Sequence, residues 1–563
     1  MLLILFLIYI EQVTSILNVK ETPTRQVKSL DGVWSFAIDD SHERNRSFEE
    51  KWWQSNFKKF KSVIPMPVPS SYNDVPTAKN IRDFVGWAWY QRDFVLQKFW
   101  LKNVVFLRFE SVNYYCMVWL NNHLVLEHEG GHLPFEVNVT PFLKANNDLT
   151  VAVNNTLTPS SIPPGSIIYP SDPENYPPGY FKQQLNFDFF NYAGIDRQVR
   201  LYSLPSNYIE DVIVKTDVTK NGIGLVHYNI KTSKSSKIES IRTTLIDKHG
   251  EEVASIASTK PQGVLKVINP NLWWPYTMNK SCSGYLYDLK VQLRTNTSFD
   301  EVTINVGIRT VKWTNTQFLI NDRPFYFSGI NKHEDSDLRG KGIDLVLVSR
   351  DFHNQQWLGS NAFRTSHYPY AEEYLEFADR MGIVVIGECP AVGLAYPDNF
   401  LNLDKHIGMV KDMIARDKNH PSIVAWSMAN EPKSSLPIAE DYFKKLFNVS
   451  RGFDDTRAYT FVCNQKPKED KALQFSDLAN INAYFVKLMK ENFKVFDELK
   501  DEFFIGEFIW NYADFMTAQG VTRVVGNKKG VFNRERQPKY SAHILRCRYH
   551  RINNLTLSDN FLC

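Results

Sequence analysis

Three glutamates end apolar runs in the C-terminal half of the chain: Glu388 in GIVVIGECP, Glu431 in SIVAWSMANEP and Glu507 in FFIGEFIWN. A carboxyl held at a strand end can protonate a leaving oxygen, attack a carbon centre or activate water, and glycoside cleavage needs two of them flanking the bond. Glu431 is the best acid, since it follows Asn430 and precedes Pro432, which stops the strand. Other polar and aromatic groups end the same runs: His333-Glu334-Asp335, Arg364 to His367, Asn482 to Tyr484 and Trp510. Acids, amides and rings converging on one rim suit a carbohydrate. His128-Glu-Gly-Gly-His132 has the H-E-x-x-H zincin spacing, but two glycines inside it and strand-like flanks predict a turn rather than a zinc-bearing helix.

The elements that would position these groups fall into three stretches. From about 30 to 205, short aromatic and β-branched runs separated by turns predict an antiparallel β-sandwich, interrupted by a loop with seven prolines from Pro159 to Pro178. From about 206 to 310, alternating strands have the length of one immunoglobulin-like sandwich. Beyond that, seven strand-like runs alternate with amphipathic segments such as AEEYLEFADRM, the rhythm of a parallel (β/α) barrel with active groups at the C-terminal strand ends. The predicted units are therefore a leader, 1–15, and domains at 16–205, 206–310 and 311–563.

Composition excludes several classes. The 563 residues carry a net charge of +3, too little to argue for a nucleic-acid or anionic-membrane partner. MLLILFLIYI at the start is too short to span a bilayer and fits a secretory signal. With it go seven N-x-[ST] sequons, at Asn45, Asn138, Asn154, Asn279, Asn296, Asn448 and Asn554, which point to a glycosylated secretory-pathway protein. Six scattered cysteines without a CxxC predict buried thiols rather than a disulfide scaffold or a zinc site.

DKNHPSIVAWSMANE (417–431) and NAFRTSHYP (361–369) resemble the two signatures of the family 2 glycoside hydrolases. NKHEDSDLRGKG, DFFNYAG, EFIWNYADFMT and TRVVGNKKGVF are similar to members of that family acting on β-D-glucuronides, and the likeness runs from about Leu30 to Arg551. The resemblance implies a jelly-roll domain, an immunoglobulin-like domain and a TIM barrel, assembled as a homotetramer and, in animals, lysosomal or secreted. It implies a retaining hydrolase that removes terminal β-D-glucuronate from glycosaminoglycan fragments or glucuronide conjugates, without cofactor or metal. Glu431 then matches the acid/base, and Asn430 holds the sugar 2-hydroxyl. Asn527 and Lys529 match the pair that binds the substrate carboxylate, which galactosidases and mannosidases would not need. Arg523 and Trp510 lie beside that pocket, Asp188 reaches in from the first domain, and Asn482 and Tyr484 surround the nucleophile. His333 and His367 are further cleft residues.

The family's nucleophile, a glutamate in a Ser-Glu-Tyr-Gly-like strand end, has no counterpart. After Tyr484 the chain runs through one helix-like segment into FFIGEFIWN. About 70 residues separate Glu431 from Phe503, where three strands and four helices need roughly 100. One βα unit is missing from the barrel, the one that should bear the nucleophile. Glu507 and Glu388 are the replacements on offer, but the family carries the Gly-Glu of IGEF in addition to its nucleophile. A retaining pair must also stand about 5–5.5 Å apart, which a barrel short of a strand does not keep by chance. The expectation is a hydrolase by descent with impaired activity. The alternatives are a shortened isoform or an inactive uronate-binding member.

Overall fold

The computed structural model describes residues 17–557 except 171, 173, 177–179, 234–236, 482–488, 501 and 519–522. The first stretch forms two antiparallel sheets. Six strands run in the order Ile64–Val68, Gly32–Ile38, Trp87–Val95, Asn146–Asn154, Tyr115–Leu120, His123–Glu129. Four more, Gln26–Ser29, Val199–Leu204, Val104–Phe109 and Phe135–Asn138, close the sandwich. Alternate residues face inward, so Trp34 and Phe36 pack with Leu107 and Phe109 in a common core. The H-E-x-x-H stretch lies where strand His123–Glu129 ends and Gly130 turns at φ 118°. Among the described residues, no group of three or more His, Cys, Asp or Glu could hold a metal ion.

Within the proline-rich loop, Gly165–Ile168 pairs with Lys182–Leu185 as a separate two-stranded ribbon. The missing proline N–H groups keep this segment out of the main sheets. Its anchors are on the barrel: Asn399 donates to Pro159 O, and Lys405 to Ser160 O. The chain that follows is thereby carried over the barrel's rim.

The second sandwich packs three strands (Ile209–Val218, Gly224–Thr232, Gln262–Val267) on four (Glu252–Ser258, Ile238–Ile246, Tyr287–Thr295, Phe299–Val306) around Val212, Tyr228, Leu245 and Leu289. The barrel has strands β1 (Phe327–Asn331), β2 (Ala362–Arg364), β3 (Val384–Glu388), β4 (Ile423–Asn430), β5 (Ala458–Cys463), β6 (Leu478–Ile481) and β7 (Gly506–Trp510). Helices α1 (Leu345–Leu358), α2 (Glu372–Met381), α3 (Leu403–Asp417), α4 (Pro437–Ser450), α5 (Met489–Leu499) and α6 (Tyr540–Ile552) accompany them. All seven strands are parallel, in the order β6-β5-β4-β3-β2-β1-β7. β1 is flanked by β2 and β7, so the sheet has curled round. Among the described residues β6 and β7 do not pair with each other, and the barrel stays open there. The expected seven strands are present. The sixth is Leu478–Ile481, slightly upstream of the predicted INAYF, most of which lies outside the described residues.

Cys116, Cys389 and Cys463 are buried free thiols and Cys282 is partly exposed, whereas Cys547 is disulfide-bonded. Among the described residues, no helix is long and apolar enough to cross a membrane.

Candidate functional site: a cleft at the C-terminal ends of the barrel strands

A cavity of about 440 Å³ opens where β3, β4, β5 and β7 end. It gathers residues from distant parts of the sequence: Asp188, His367, Asn430, Glu431, Trp510 and Lys529 all line it. Glu431 follows the last residue of β4 and has φ 47°, in the left-handed region that a non-glycine residue enters at a cost of about 1–2 kcal/mol. The backbone N–H of Glu431 donates to Val462 O, and Asn464 Nδ2 donates to its Oε2 at 3.1 Å. Asn430 is buried, and its Oδ1 accepts from Arg364 Nη2 at 3.2 Å. The amide orientation next to the acid is therefore set by β2.

The opposite wall comes from the first domain and from the segment after β7. Asp188 accepts from Arg523 (Nη2 to Oδ2, 2.8 Å) and from the buried Asn527 (Nδ2 to Oδ2, 3.0 Å). Asn527 Oδ1 in turn accepts from the Lys529 backbone N–H. Asp188, Arg523, Asn527 and Lys529 thus form one hydrogen-bonded strap across the mouth. Gly393 makes the close approach possible: its φ is +77°, and a Cβ there would stand 2.8 Å from Asn186 O. With Lys433 also on the wall, and Asp188 offset by Arg523, the cleft is cationic except at Glu431.

Beneath the cleft lies a buried polar layer. Glu388, fully buried at the end of β3, accepts from Ser427 Oγ at 2.7 Å, contacts His367 Nδ1 at 3.0 Å and pairs with Arg364 Nε at 3.4 Å. Burial pushes its carboxyl up to about 7, against the lowering effects of Arg364 and the Ser427 hydrogen bond. His367 stacks on Trp510 with ring centroids 5.0 Å apart. Burial and the Arg364 charge hold His367 well below the usual histidine value, so a neutral ring faces the cleft.

Two of the candidates offered by the sequence lie away from the cleft. Glu507 does not line the cavity. Side chains alternate along β7, so Phe508 and Trp510 face the barrel interior while Glu507 faces the helices. There Arg548 of α6 grips it at 2.8 Å through both Nε and Nη2, with Tyr326 OH at 3.3 Å. A carboxylate fixed on the outer face by a bidentate arginine is not placed to attack a substrate in the cleft. His333 is likewise outside the lining. It is buried below Trp510 and Phe515, with Nδ1 against Tyr368 OH at 3.2 Å, and its neighbours serve domain packing through Glu334–Arg197 and Asp335–Arg534 pairs. Asn482 and Tyr484 lie outside the described residues.

Lys433, Asn464 and Gln465 line the cleft without having been singled out in the sequence. The strand-end rule that picked out Asn430 and Glu431 applies equally to the VCNQ that closes β5. Among the described residues the cavity carries two carboxylates, Glu431 and Asp188, and Asp188 is committed to the strap.

Residues 27–205 match the Glycosyl hydrolases family 2 sugar binding domain, 207–309 match Glycosyl hydrolases family 2, and the family's TIM barrel domain matches in two overlapping pieces, 311–486 and 473–554. Beta-glucuronidase of Mus musculus is 43% identical, covering 95% of this chain and 92% of its own length, and that of Homo sapiens is also 43% identical, over 95% and 93%. The mouse alignment spans 604 residues, more than the 563 of this chain, so the relative has segments with no counterpart here. Among solved structures, the β-D-glucuronidase of Dictyoglomus thermophilum superposes with TM-score 0.85 at 37% identity, covering 94% of this chain and 98% of its own. The Ruminococcus gnavus enzyme gives 0.88 at 31%, covering 96% and 100%. Three consecutive domain matches, and full-length relatives above 40% identity, place this chain in glycosyl hydrolases family 2, among its β-glucuronidases.

Proposed function

We propose that the cleft binds terminal β-D-glucuronate, that Glu431 protonates the leaving oxygen, and that hydrolysis is slow because the second carboxyl is missing. The observation that carries this reading is that Glu431 and Lys529 line the same cavity. An ammonium beside an amide-held strap suits a sugar carboxylate, while an acid across the cleft suits the bridging oxygen. Asn430, steadied by Arg364, is placed to hold the 2-hydroxyl, and Trp510 offers a ring face to the sugar.

Retaining hydrolysis requires a nucleophile on the other face of the anomeric carbon, about 5–5.5 Å from the acid. Among the described residues the barrel is open between β6 and β7, the interval in which the family strand bearing that group belongs. Glu388 is fully buried beneath the floor and half protonated near neutral pH, which makes it a poor nucleophile. The impaired hydrolase and the uronate-binding relative are thus two ends of one scale, set by residual turnover. Hydrolysis of a chromogenic glucuronide and galactoside, with titration of glucuronate, tests the reading. Glucuronate binding with weak, Glu431-dependent and glucuronide-selective turnover is expected. Equal rates on both substrates would refute the uronate assignment.

The secretory route, N-glycosylation and a homotetramer belong to the same proposal. None of the seven sequon asparagines is buried, which supports glycan attachment. A mobility shift on glycan removal, and a sedimentation mass, check these points.

A further inference from the structure

A second cavity, about 360 Å³, lies at the other end of the barrel from Glu431. One wall is the second sandwich's strand Ile209–Val218, another is the segment from Val306 to Trp313, and the rest are loops that enter β4 and β5. Five basic side chains line it against two carboxylates, Asp217 and Asp455. Four of the five have acidic partners: Lys215–Asp455 at 2.5 Å, Lys312–Asp322 at 2.5 Å, Lys418–Asp211 at 2.9 Å and Arg457–Asp454 at 2.7 Å.

Arg309 is the exception. It is only 6% exposed, its Nε donates to Pro421 O and its Nη2 to Ile423 O, and among the described residues no carboxylate lies within ion-pair distance of it. Its Nη1 has no hydrogen-bond partner among the described residues, on a side chain that lines the cavity. Beside it Thr310 Oγ1 is buried behind the wall without a partner. A buried guanidinium bonded only to carbonyls is offset only from a distance, by Asp454 and Asp379, and burial and the adjacent Arg457 outweigh them and hold it below the usual arginine range. Such a group gains most from an anion that supplies both charge and acceptors.

We propose that this cavity is a binding site for a tetrahedral oxyanion of the sulfate or phosphate type. Arg309 Nη1 is the central donor. Lys215 and Lys312 share the mouth; their present partnerships with exposed aspartates are weak and exchangeable. The cavity exceeds the volume of a free oxyanion, so the same chemistry could come from inorganic sulfate or from the sulfate of a sugar. Bound there, the anion would tie the second sandwich and its linker to Ile423, the first residue of the strand whose far end presents Asn430 and Glu431.

The test is calorimetric titration of the full-length protein with sodium sulfate, and separately with N-acetylglucosamine 6-sulfate, at ionic strength fixed with sodium chloride. Saturable binding of one equivalent is expected, weakened about tenfold by the mouth variant Lys215→Glu/Lys312→Glu and unchanged by Lys529→Met in the cleft. Arg309→Lys, which keeps the charge but loses the fork, should also weaken it. Tighter binding of the sugar sulfate would identify the ligand as a sulfated saccharide, and equal or weaker binding as the free oxyanion. No saturable binding, or binding that survives the mouth variant but disappears with Lys529→Met, overturns the proposal.

Discussion

Replacing Glu507 by glutamine separates a structural carboxylate from a catalytic one. In this structure Glu507 is 3% exposed and bound twice, at 2.8 Å, by Arg548, whose charge is shared with the more exposed Asp497 at 3.0 Å. Burial raises its pKa while Arg548 opposes the rise. Glutamine keeps one acceptor and loses the charge, and Arg548 falls back on Asp497. Hydrogen bonds to charged groups are worth about 1.5–3 kcal/mol each, so a net loss of about 2 kcal/mol is expected after that fallback. Alanine, which strips the arginine of its buried partner, should cost about 3–5 kcal/mol. At about 2–4 °C per kcal/mol for a unit of this size, the glutamine variant lowers the barrel's calorimetric transition by about 4–8 °C. Three domains make global two-state fitting inappropriate, so the barrel's own transition is the readout. Glucuronate affinity and any residual glucuronide turnover should stay within about twofold, since the side chain faces away from the cleft. An unmoved transition together with lost turnover would instead make Glu507 the nucleophile.

Three further outcomes follow from the same geometry. Lys529→Met should weaken glucuronate binding by about a hundredfold while sparing neutral glucosides, read by competitive titration; equal loss for both sugars would show that the lysine does not discriminate charge. Gly393→Val places a Cβ against Asn186 O and forces a positive φ on a β-branched residue. It should displace the Asp188 arm and weaken uronate binding about tenfold, while leaving the jelly-roll domain's transition unchanged. Glu388 is raised to about 7 from the usual 4.5, so the stability it contributes is fully present below pH 4.5 and is lost as pH rises through 7. That loss amounts to about 3 kcal/mol, and stability measured from pH 4.5 to 8 should fall less steeply in Glu388→Gln than in the wild type; parallel curves would place the titration elsewhere.

Much of the candidate cleft was legible because barrels put their chemistry at strand ends, and strand ends are visible where an apolar run meets Asn430-Glu431-Pro432. That the described residues form seven barrel strands was legible too, because chain length between strands is a count of residues. What pattern could not give was side-chain facing. Glu507 ends the same kind of run as Glu431, yet one step of strand alternation turns it toward α6, and only the partner Arg548, far along the chain, reveals this. His333 sits one layer too deep for the same reason. The strap was legible only through resemblance: Asp188 and Arg523 are more than three hundred residues apart, and their meeting depends on a proline-rich arm anchored at Pro159 and Ser160. The anion cavity gave no sequence signal, since Arg309 is an ordinary residue in a linker until the carbonyls of Pro421 and Ile423 close around it.

In the proposed function Glu431 supplies the acid half of a glucuronidase site and the nucleophile is lacking. Chemical rescue tests it most directly: purified protein, an aryl β-D-glucuronide and sodium azide, with products identified by NMR. Azide can attack C1 from the vacant face as the C1–O bond breaks and Glu431 protonates the departing oxygen. Expected are slow release without azide, acceleration of about a hundredfold or more with it, an α-glucuronyl azide product, and loss of that product in Glu431→Gln. Rapid turnover without azide that yields β-glucuronate as the first-formed product would mean that a nucleophile is present after all, and would contradict it.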